Sequence, residues 1–338
     1  MKEKIELSDK RILITGCTGL IGSALTEELI RMNDADGRNN TLTLLVRDLS
    51  KAKDRFGPLC DRADVKLLQG DVTDAAILLD YVWDIIIHAA GPAHPLAYSK
   101  FPVETMQANL LGTMNLLDHA RKQKETGQPI RKFIFFSSGE IYGDAGMKSE
   151  KGWSEDVPGT VDSMKERSCY PESKRAAETL CRSYFKEYDI PALAVRLGYI
   201  FGMGIHQDNT RADAQFLRKA LAGEDIVMKS DGMQLRSYCY VKDAVDAIIL
   251  LMTKGEAGEA YNIANADAVA TIREFAKTMA DAFRVNLVFD IPDEVERAGY
   301  SRMKKEVLNP EKLYDLGWKP CYSLAGAMQD MKKYEVAV

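Results

Sequence analysis

The chain has 338 residues, a formal net charge of −5 and an apolar share of 46%. This length is enough for about two domains, and the acidic balance lacks the basic footprint of a nucleic-acid partner. The six cysteines have no paired spacing and the four histidines form no metal-ligand cluster, so neither a disulfide framework nor a metal site is predicted. No apolar run reaches the roughly 18 residues of a membrane span. Because MKEKIELSDK, at the start, also lacks a signal-peptide core, we expect a cytoplasmic protein.

The first half of the chain alternates strand-like runs with helical patterns. The strand-like runs are RILITG (11–16), TLTLLVR (41–47), VKLLQGD (65–71), DIIIHAA (84–90), KFIFFSS (132–138) and ALAVRLGYIFG (192–202). Alternation of this kind requires right-handed crossovers and gives a parallel sheet with helices on both faces. We therefore predict an α/β fold built on a doubly wound parallel sheet.

A glycine-rich turn follows the first strand. The run ITGCTGLIG places Gly16, Gly19 and Gly22 between that strand and the first helix. Backbone N–H groups and the helix N-terminus can approach a pyrophosphate closely at such a turn. The strand before it and the helix after it supply the context that the dinucleotide-binding fingerprint requires. The sequence thus predicts a Rossmann-type fold that holds NAD(P), with further contacts at Leu20 and Ile21.

The end of the second strand predicts which dinucleotide is bound. An acid at this position bonds the ribose 2′-hydroxyl of NAD, whereas an arginine accommodates the 2′-phosphate of NADP. In LLVRDLSK the strand ends on Arg47, with Asp48 next and Lys51 nearby. This favours NADP; in the alternative, NAD binds and Asp48 meets the ribose. Asp71 and Val72, after the third strand, are placed to reach the adenine.

After about residue 200 the pattern loosens into shorter helices and turns. Two strand-like runs occur there, GEAYNIAN (258–265) and NLVFDIP (286–292). We predict that residues 1–200 form the dinucleotide-binding domain and that residues 201–338 form mostly a smaller, mixed α/β substrate lid. Part of 235–265 is expected to return to the first domain.

Tyr170 and Lys174 stand four residues apart in CYPESKRAAE, which puts them on one face of a helix. Ser138 ends a predicted strand, and open α/β sheets bind ligands at the carboxyl ends of their strands. A phenol with a pKa of about 10 is a poor base at neutral pH, but an ammonium group and a positive nicotinamide ring both lower that pKa. The three side chains therefore form a predicted proton-transfer set for oxidising an alcohol or reducing a ketone. Tyr170 and Lys174 are also expected to contact the cofactor.

Several motifs together resemble a known family over nearly the whole chain. TGCTGLIG, GDVTD, HAAG, SSGEIYG, YPESK and RSYCYVKDAVDAI resemble the extended short-chain dehydrogenase/reductase family, that is, the nucleotide-sugar epimerases, dehydratases and decarboxylases. The stretch HAAGPAHPLAYSKFPVETMQANLLGTMNLL is similar to UDP-glucuronate decarboxylases. The resemblance implies that Tyr98 approaches the sugar, Glu140 assists proton transfer and Arg236 contacts the nucleotide diphosphate. It also implies that Ala89 and Ala90 line the cofactor.

The chain departs from the family pattern at three positions. Gly139 stands where glucose 4,6-dehydratases carry the Asp of an Asp-Glu pair, so the acid for a leaving 6-hydroxyl is missing and dehydration is disfavoured. Tyr199 stands where decarboxylases and epimerases usually keep an Asn, which predicts an unusual sugar pocket with Tyr199 in contact with substrate. Arg47 is unusual in branches that mostly hold NAD. Candidates to bind a uronic carboxylate, or phosphate, are Arg302, Lys304 and Lys305.

The sequence therefore predicts a nucleotide-sugar enzyme that oxidises C4 transiently with bound NAD(P), and either decarboxylates a uronic sugar or epimerises its substrate. Two alternatives stay open. One is an NADPH-dependent reductase of a keto-sugar or other ketone, for which Arg47 is the main argument. The other is a non-catalytic dinucleotide-binding regulatory protein, because fold does not fix function.

The resemblance also implies a homodimer joined through the helix carrying Lys174 and the long helix before Ser138. No nucleic-acid or membrane partner is expected.

Overall fold

The structure, a computed structural model, describes residues 7–92, 95–143, 150–205, 209–290 and 305–334. Its first half alternates strands with helices. The strands are β1 (Arg11–Thr15), β2 (Thr41–Val46), β3 (Val65–Gln69), β4 (Ile85–His88), β5 (Lys132–Ser138) and β6 (Ala192–Leu197). The helices are α1 (Leu20–Asp36), α2 (Leu49–Phe56), α3 (Pro95–Lys100), α4 (Pro102–Glu125) and α5 (Cys169–Tyr188).

The second half contributes seven more strands and five more helices to the described residues. The strands are β7 (Tyr199–Phe201), β8 (Ile226–Met228), β9 (Leu235–Tyr240), β10 (Ala260–Ile263), β11 (Val269–Thr271), β12 (Leu287–Phe289) and β13 (Lys305–Glu306). The helices are α6 (Ala212–Leu221), α7 (Val241–Lys254), α8 (Ile272–Phe283), α9 (Glu311–Asp315) and α10 (Leu324–Lys333).

The main sheet has seven strands in the order β10-β6-β5-β4-β1-β2-β3. All its neighbouring strands pair in parallel. The chain moves outward from β1 through β2 to β3, then returns to the other side of β1 with β4. This reversal creates a crevice between the carboxyl ends of β1 and β4, where doubly wound sheets bind ligands. The predicted Rossmann-type fold is confirmed.

Helices cover both faces of the main sheet because successive residues of each strand point to opposite faces. Ile12 and Ile14 pack in a core cluster with apolar residues of α1 and α7. Leu13, between them, belongs to a second cluster with apolar residues of α4 and α5. Every residue of β5 is buried, as expected for a central strand of a parallel sheet.

The predicted single strand over 192–202 is wrong, because the chain divides it at Gly198. β6 lies in the main sheet, whereas β7 pairs in parallel with β9 in a second sheet that also contains β11 and β13. The Gly198 N–H donates to the Ile263 carbonyl at 3.0 Å, and a Cβ on Gly198 would lie 3.2 Å from that oxygen. A small residue thus lets the chain leave one sheet and enter another within one position.

The run GEAYNIAN contains β10, which extends the main sheet. Tyr261 and Ile263 are paired with residues of β6, so this part of the chain returns to the sheet formed by the first half. NLVFDIP contains β12, which pairs with β8 outside the main sheet. The division into domains at residue 200 stays a prediction.

All six cysteines are free thiols. Within the described ranges, no three or more His, Cys, Asp or Glu side chains form a group that could hold a metal ion. In the same ranges, no helix combines the length and the apolar character that crossing a bilayer requires.

Candidate active site

An open cleft of about 1340 Å³ lies over the carboxyl ends of the main-sheet strands. The predicted catalytic residues, the glycine-rich turn, Arg47, Asp71, Val72, Ala89, Ala90, Tyr98, Tyr199 and Arg236 line this one cleft, whereas Asp48 and Lys305 are not part of its lining. For the residues that follow β1 to β5, parallel strands explain the convergence, because their carboxyl ends share one edge of the sheet. The individual roles of these residues stay predictions.

The glycine-rich turn closes tightly against the loop after β4. Gly16 has φ of +66°, and a Cβ there would lie 2.4 Å from the Ala89 carbonyl oxygen and 2.6 Å from the Ala90 nitrogen. A Cβ at Gly22 would lie 2.3 Å from the Gly16 oxygen. Gly19 precedes α1, whose first turn contains no acidic side chain. The turn therefore leaves the α1 N-terminus facing the cleft without local negative charge, which fits a pyrophosphate.

The residues after β2 bear on the choice between NAD and NADP. The Asp48 carboxylate caps α2, since it accepts from the N–H groups of Ser50 at 2.9 Å and Lys51 at 3.2 Å. Arg47 lines the cleft together with Lys51, and its side chain is 83% exposed. One Arg47 Nη lies 4.0 Å from a carboxylate oxygen of Asp71. Two cationic side chains thus line this part of the cleft, while Oδ1 of Asp48 is engaged in the helix cap.

Ser138, Tyr170 and Lys174 meet where β5 ends and α5 begins. The Lys174 ammonium donates to the Phe136 carbonyl at 2.7 Å and lies 5.8 Å from the centre of the Tyr170 ring. The Ser138 hydroxyl accepts from the Glu140 N–H at 3.1 Å. These contacts place a hydroxyl, a phenol and an amine on one side of the cleft; their joint role in proton transfer stays a prediction.

The protein groups around Tyr170 keep its phenol protonated. Burial raises the pKa of Tyr170 to about 12, and the charge of Glu140 acts in the same direction. A hydrogen bond with Ser138 opposes this rise. Burial lowers the pKa of Lys174 to about 7. A positively charged nicotinamide ring would favour the phenolate, so these residues fit an oxidised dinucleotide as the group that activates Tyr170.

Tyr98 stacks directly on Tyr170, with ring centroids 4.9 Å apart and planes 20° from parallel. Its hydroxyl donates to Glu140 over 3.4 Å. Arg167 joins the same group, since its Nη2 donates to both Glu140 oxygens at 3.1 and 3.2 Å and to the Tyr98 hydroxyl at 3.3 Å. Sequence analysis missed Arg167, although an Arg three residues before Tyr170 could have been noticed.

Two further arginines of the cleft lining, Arg211 and Arg236, form ion pairs. The Arg211 guanidinium lies 4.2 Å from the centre of the Tyr199 ring and donates to Asp213 at 3.1 Å. Buried Arg236 lies 3.4 Å from a carboxylate oxygen of Glu306. We call the part of the cleft lined by Arg167, Arg211 and Arg236 the arginine end. Nothing in the local sequence pointed to Arg211 or Glu306.

Two of the three candidates for a uronic carboxylate, Arg302 and Lys304, lie outside the described residues. Lys305 begins β13, next to Glu306. The arginine end supplies guanidinium groups that sequence analysis did not consider for this purpose.

The fold and the cleft define a dinucleotide-dependent enzyme of the short-chain dehydrogenase/reductase type. The model of the NAD dependent epimerase/dehydratase family matches residues 12–264. The chain belongs to this family, which confirms the resemblance seen in the motifs, and it is an enzyme of this kind that uses a nicotinamide dinucleotide.

The curated relatives include UDP-glucuronic acid decarboxylases. UDP-glucuronic acid decarboxylase 5 of Arabidopsis thaliana is 31% identical over 96% of this chain and 89% of its own length. UDP-glucuronic acid decarboxylase 1 of Danio rerio is 29% identical over 97% of this chain and 73% of its own length. This similarity extends over nearly the whole chain.

Solved structures confirm the fold. UDP-glucose 4-epimerase of Thermotoga maritima, solved with UDP-glucose, gives a TM-score of 0.81 at 22% identity and covers 97% of this chain and 99% of its own. dTDP-glucose 4,6-dehydratase of Bacillus anthracis, solved with NAD, gives 0.77 at 20% identity and covers 97% of this chain and 96% of its own.

Proposed function

We propose that this enzyme oxidises a nucleotide sugar transiently at C4 and returns the hydrogen before product leaves. The observation that carries the proposal is the meeting of Ser138, Tyr170 and Lys174 in the cleft that also contains the glycine-rich turn. A bound nicotinamide supplies the acceptor, and later the donor, of the C4 hydrogen. The protein residues hold the sugar and move its protons.

Each side chain of the set has a role that follows from its position. Tyr170 takes the proton of the C4 hydroxyl, and Ser138 holds the same oxygen by a hydrogen bond. Lys174, within 5.8 Å of the phenol ring, favours the phenolate when it carries its proton. The α1 N-terminus and Gly16 hold the pyrophosphate of the cofactor.

Decarboxylation of a nucleotide glucuronate is the reaction we favour. The reason is the 31% identity over 96% of the chain to a UDP-glucuronic acid decarboxylase. Once C4 is a ketone, the carboxylate on C5 is β to it. The C5–C6 bond can then break, CO₂ leaves, and the electron pair stays on the sugar as an enolate. Epimerisation is the second candidate, because the same C4 oxidation precedes it and an epimerase shares the fold at a TM-score of 0.81.

The test is a mass-spectrometric assay of purified protein with UDP-glucuronate, UDP-glucose and dTDP-glucose, each with NAD⁺ or NADP⁺. Loss of CO₂ from the glucuronate without net change in nicotinamide absorbance supports decarboxylation. An isomer of unchanged mass indicates epimerisation. Steady consumption of NADPH with a keto-sugar would identify a reductase instead, and absence of turnover with every compound would favour a regulatory protein.

We further propose NADP as the preferred cofactor. Arg47→Ala should raise the apparent Kd for NADP⁺ about 10- to 100-fold, because a hydrogen bond to a charged group contributes roughly 1.5–3 kcal/mol. Binding of NAD⁺, which lacks the 2′-phosphate, should stay unchanged. Both affinities can be measured by fluorescence titration, with Lys53→Ala, an exposed cation of α2 outside the cleft, as the matched control. Preference of the wild type for NAD⁺, or equal weakening of both cofactors, would contradict this assignment.

We also propose a homodimer formed through α4 and α5. Four large apolar side chains of α4 are exposed in the single chain: Val103, Met106, Leu111 and Met114. A second copy would bury them. Leu111→Glu should shift the protein from dimer to monomer in sedimentation equilibrium, whereas Val288→Glu, at an exposed apolar position of β12, should not. A monomeric wild type would refute the proposal.

A further inference from the structure

The space beside position 139 is already occupied by a carboxyl group. Gly139 follows Ser138 at the end of β5, and its φ is not positive, so its backbone does not require glycine. A Cβ built on Gly139 would lie 3.2 Å from a Glu306 carboxylate oxygen and 3.2 Å from a Leu308 methyl carbon. The Glu306 side chain, from a distant part of the chain, therefore lies in the space that a side chain at position 139 would occupy.

The second sheet places Glu306 at this point. β13 pairs in parallel with β9, and Glu306 stands opposite Arg236 in the register. The Glu306 side chain is only 13% exposed, and its carboxylate lies 3.4 Å from the Arg236 Nε. Glu306 lines the same cleft as Glu140 and Tyr170, so two carboxyl groups from distant segments face one reaction space.

The groups around Glu306 set how readily it carries a proton. Burial raises the pKa of Glu306, and the charge of Glu140 acts in the same direction. Arg236 is the strongest opposing influence, followed by Arg211 and Arg167. An anionic substrate that engages these guanidinium groups compensates their charge. Glu306 is then left facing Glu140 and the substrate anion, which favours its protonated form.

We propose that Glu306 is a catalytic acid of this enzyme and gives its proton to sugar C5 as CO₂ is lost; this rests on the decarboxylation proposed above. The C5–C6 bond breaks and C6 leaves as CO₂. The electron pair, held in the enolate of the 4-ketone, forms the new C5–H bond with the Glu306 proton. Glu306 becomes a carboxylate, and Arg236, 3.4 Å away, stabilises that charge. A proton from solvent restores the acid for the next cycle.

The first test compares Glu306→Gln with the wild type on UDP-glucuronate. Loss of a general acid should lower kcat about 10²- to 10³-fold with KM little changed. Oxidation at C4 does not need this acid, so reduced nicotinamide should accumulate on the variant during a single turnover and not on the wild type. Glu311→Gln removes the charge of an exposed carboxylate paired with Lys151 on the surface, and should behave as the wild type.

A relocation experiment separates an acid from a structural ion pair. Glu306→Ala removes one of the two side chains that a Cβ at position 139 would meet, the other being Leu308. Gly139→Asp in that background places a carboxyl group there from the β5 side. The kcat of this double variant should be at least about tenfold higher than that of Glu306→Ala, which corresponds to about 1.4 kcal/mol of transition-state stabilisation. Gly139→Asn with Glu306→Ala, which fills the space without an acid, should recover nothing.

Three results would overturn the inference. One is Glu306→Gln with the kcat of the wild type. Another is Glu306→Gln with a raised KM, equal loss of C4 oxidation and product formation, and no recovery from Gly139→Asp; Glu306 would then only position Arg236. The third is a wild type that releases no CO₂ from UDP-glucuronate, which removes the proposed function itself. The first two results leave decarboxylation intact, so failure of the inference about Glu306 can be distinguished from failure of the proposed function.

Discussion

Tyr170→Phe should lower kcat about 10³-fold, because removal of a positioned acid–base group costs roughly 10²- to 10⁴-fold. The aromatic ring stays, so its stacking on Tyr98 at 4.9 Å and the local packing should be retained. Burial raises the pKa of the Tyr170 phenol to about 12 and a bound oxidised nicotinamide would lower it, so the fraction of phenolate grows as pH rises. Wild-type kcat should therefore increase toward alkaline pH, and the residual activity of the variant should lose that increase.

The measurement is a pH profile of kcat with saturating nucleotide sugar. Tyr188→Phe is the matched control, because Tyr188 ends the same helix, is 38% exposed and lies outside the cleft lining. A loss of less than about tenfold in Tyr170→Phe, with the alkaline rise intact, would assign the proton transfer to another group.

Gly16→Ala should weaken cofactor binding strongly. The backbone at Gly16 has φ of +66°, and the new Cβ would lie 2.4 Å from the Ala89 oxygen. A left-handed conformation costs an alanine roughly 1–2 kcal/mol, and relief of the contact must also displace the loop after β4. We expect the apparent Kd for the dinucleotide to rise at least about 100-fold, with a lower thermal midpoint.

Gly37→Ala separates the two causes. Gly37, at the end of α1, has nearly the same φ of +63° but nothing within 4 Å of the position of a Cβ. Its replacement should cost only the conformational strain of roughly 1–2 kcal/mol and leave cofactor binding unchanged. If both variants bound cofactor equally well by calorimetry, the close approach of Gly16 to the β4 loop would have no role in binding.

Local sequence predicts those parts of this molecule that local forces determine. Lys132–Ser138 forms one strand with the predicted bounds, because a short apolar run in a parallel sheet is buried on both faces. The division of the run over 192–202 into two strands could not be predicted, because β6 and β7 are both apolar and only Gly198 marks the change of sheet. Such a change depends on which strands are neighbours, and periodicity carries no information about that.

The same limit applies to the candidate site. That Ser138, Tyr170 and Lys174 line one cleft could be predicted, because Ser138 ends a strand-like run and the other two stand four residues apart on one helix. Glu306 could not, since its position depends on the pairing of β13 with β9. Asp48 shows a third case: a sequence position compatible with the ribose caps α2 through its Oδ1, because Asp side chains readily bond nearby backbone N–H groups.

The arginine end has a consequence for how substrate is captured. Arg167, Arg211 and Arg236 face Glu140, Asp213 and Glu306, so with all six ionised their formal charges cancel. Opposite charges a few ångströms apart produce little electric field at a distance. Long-range attraction is what sets the rate of encounter and the dependence of that rate on ionic strength. The enzyme therefore selects a negatively charged sugar at contact, when the anion replaces the internal carboxylates as partner of the arginines. Added salt should change the dissociation rate of this sugar more than its association rate.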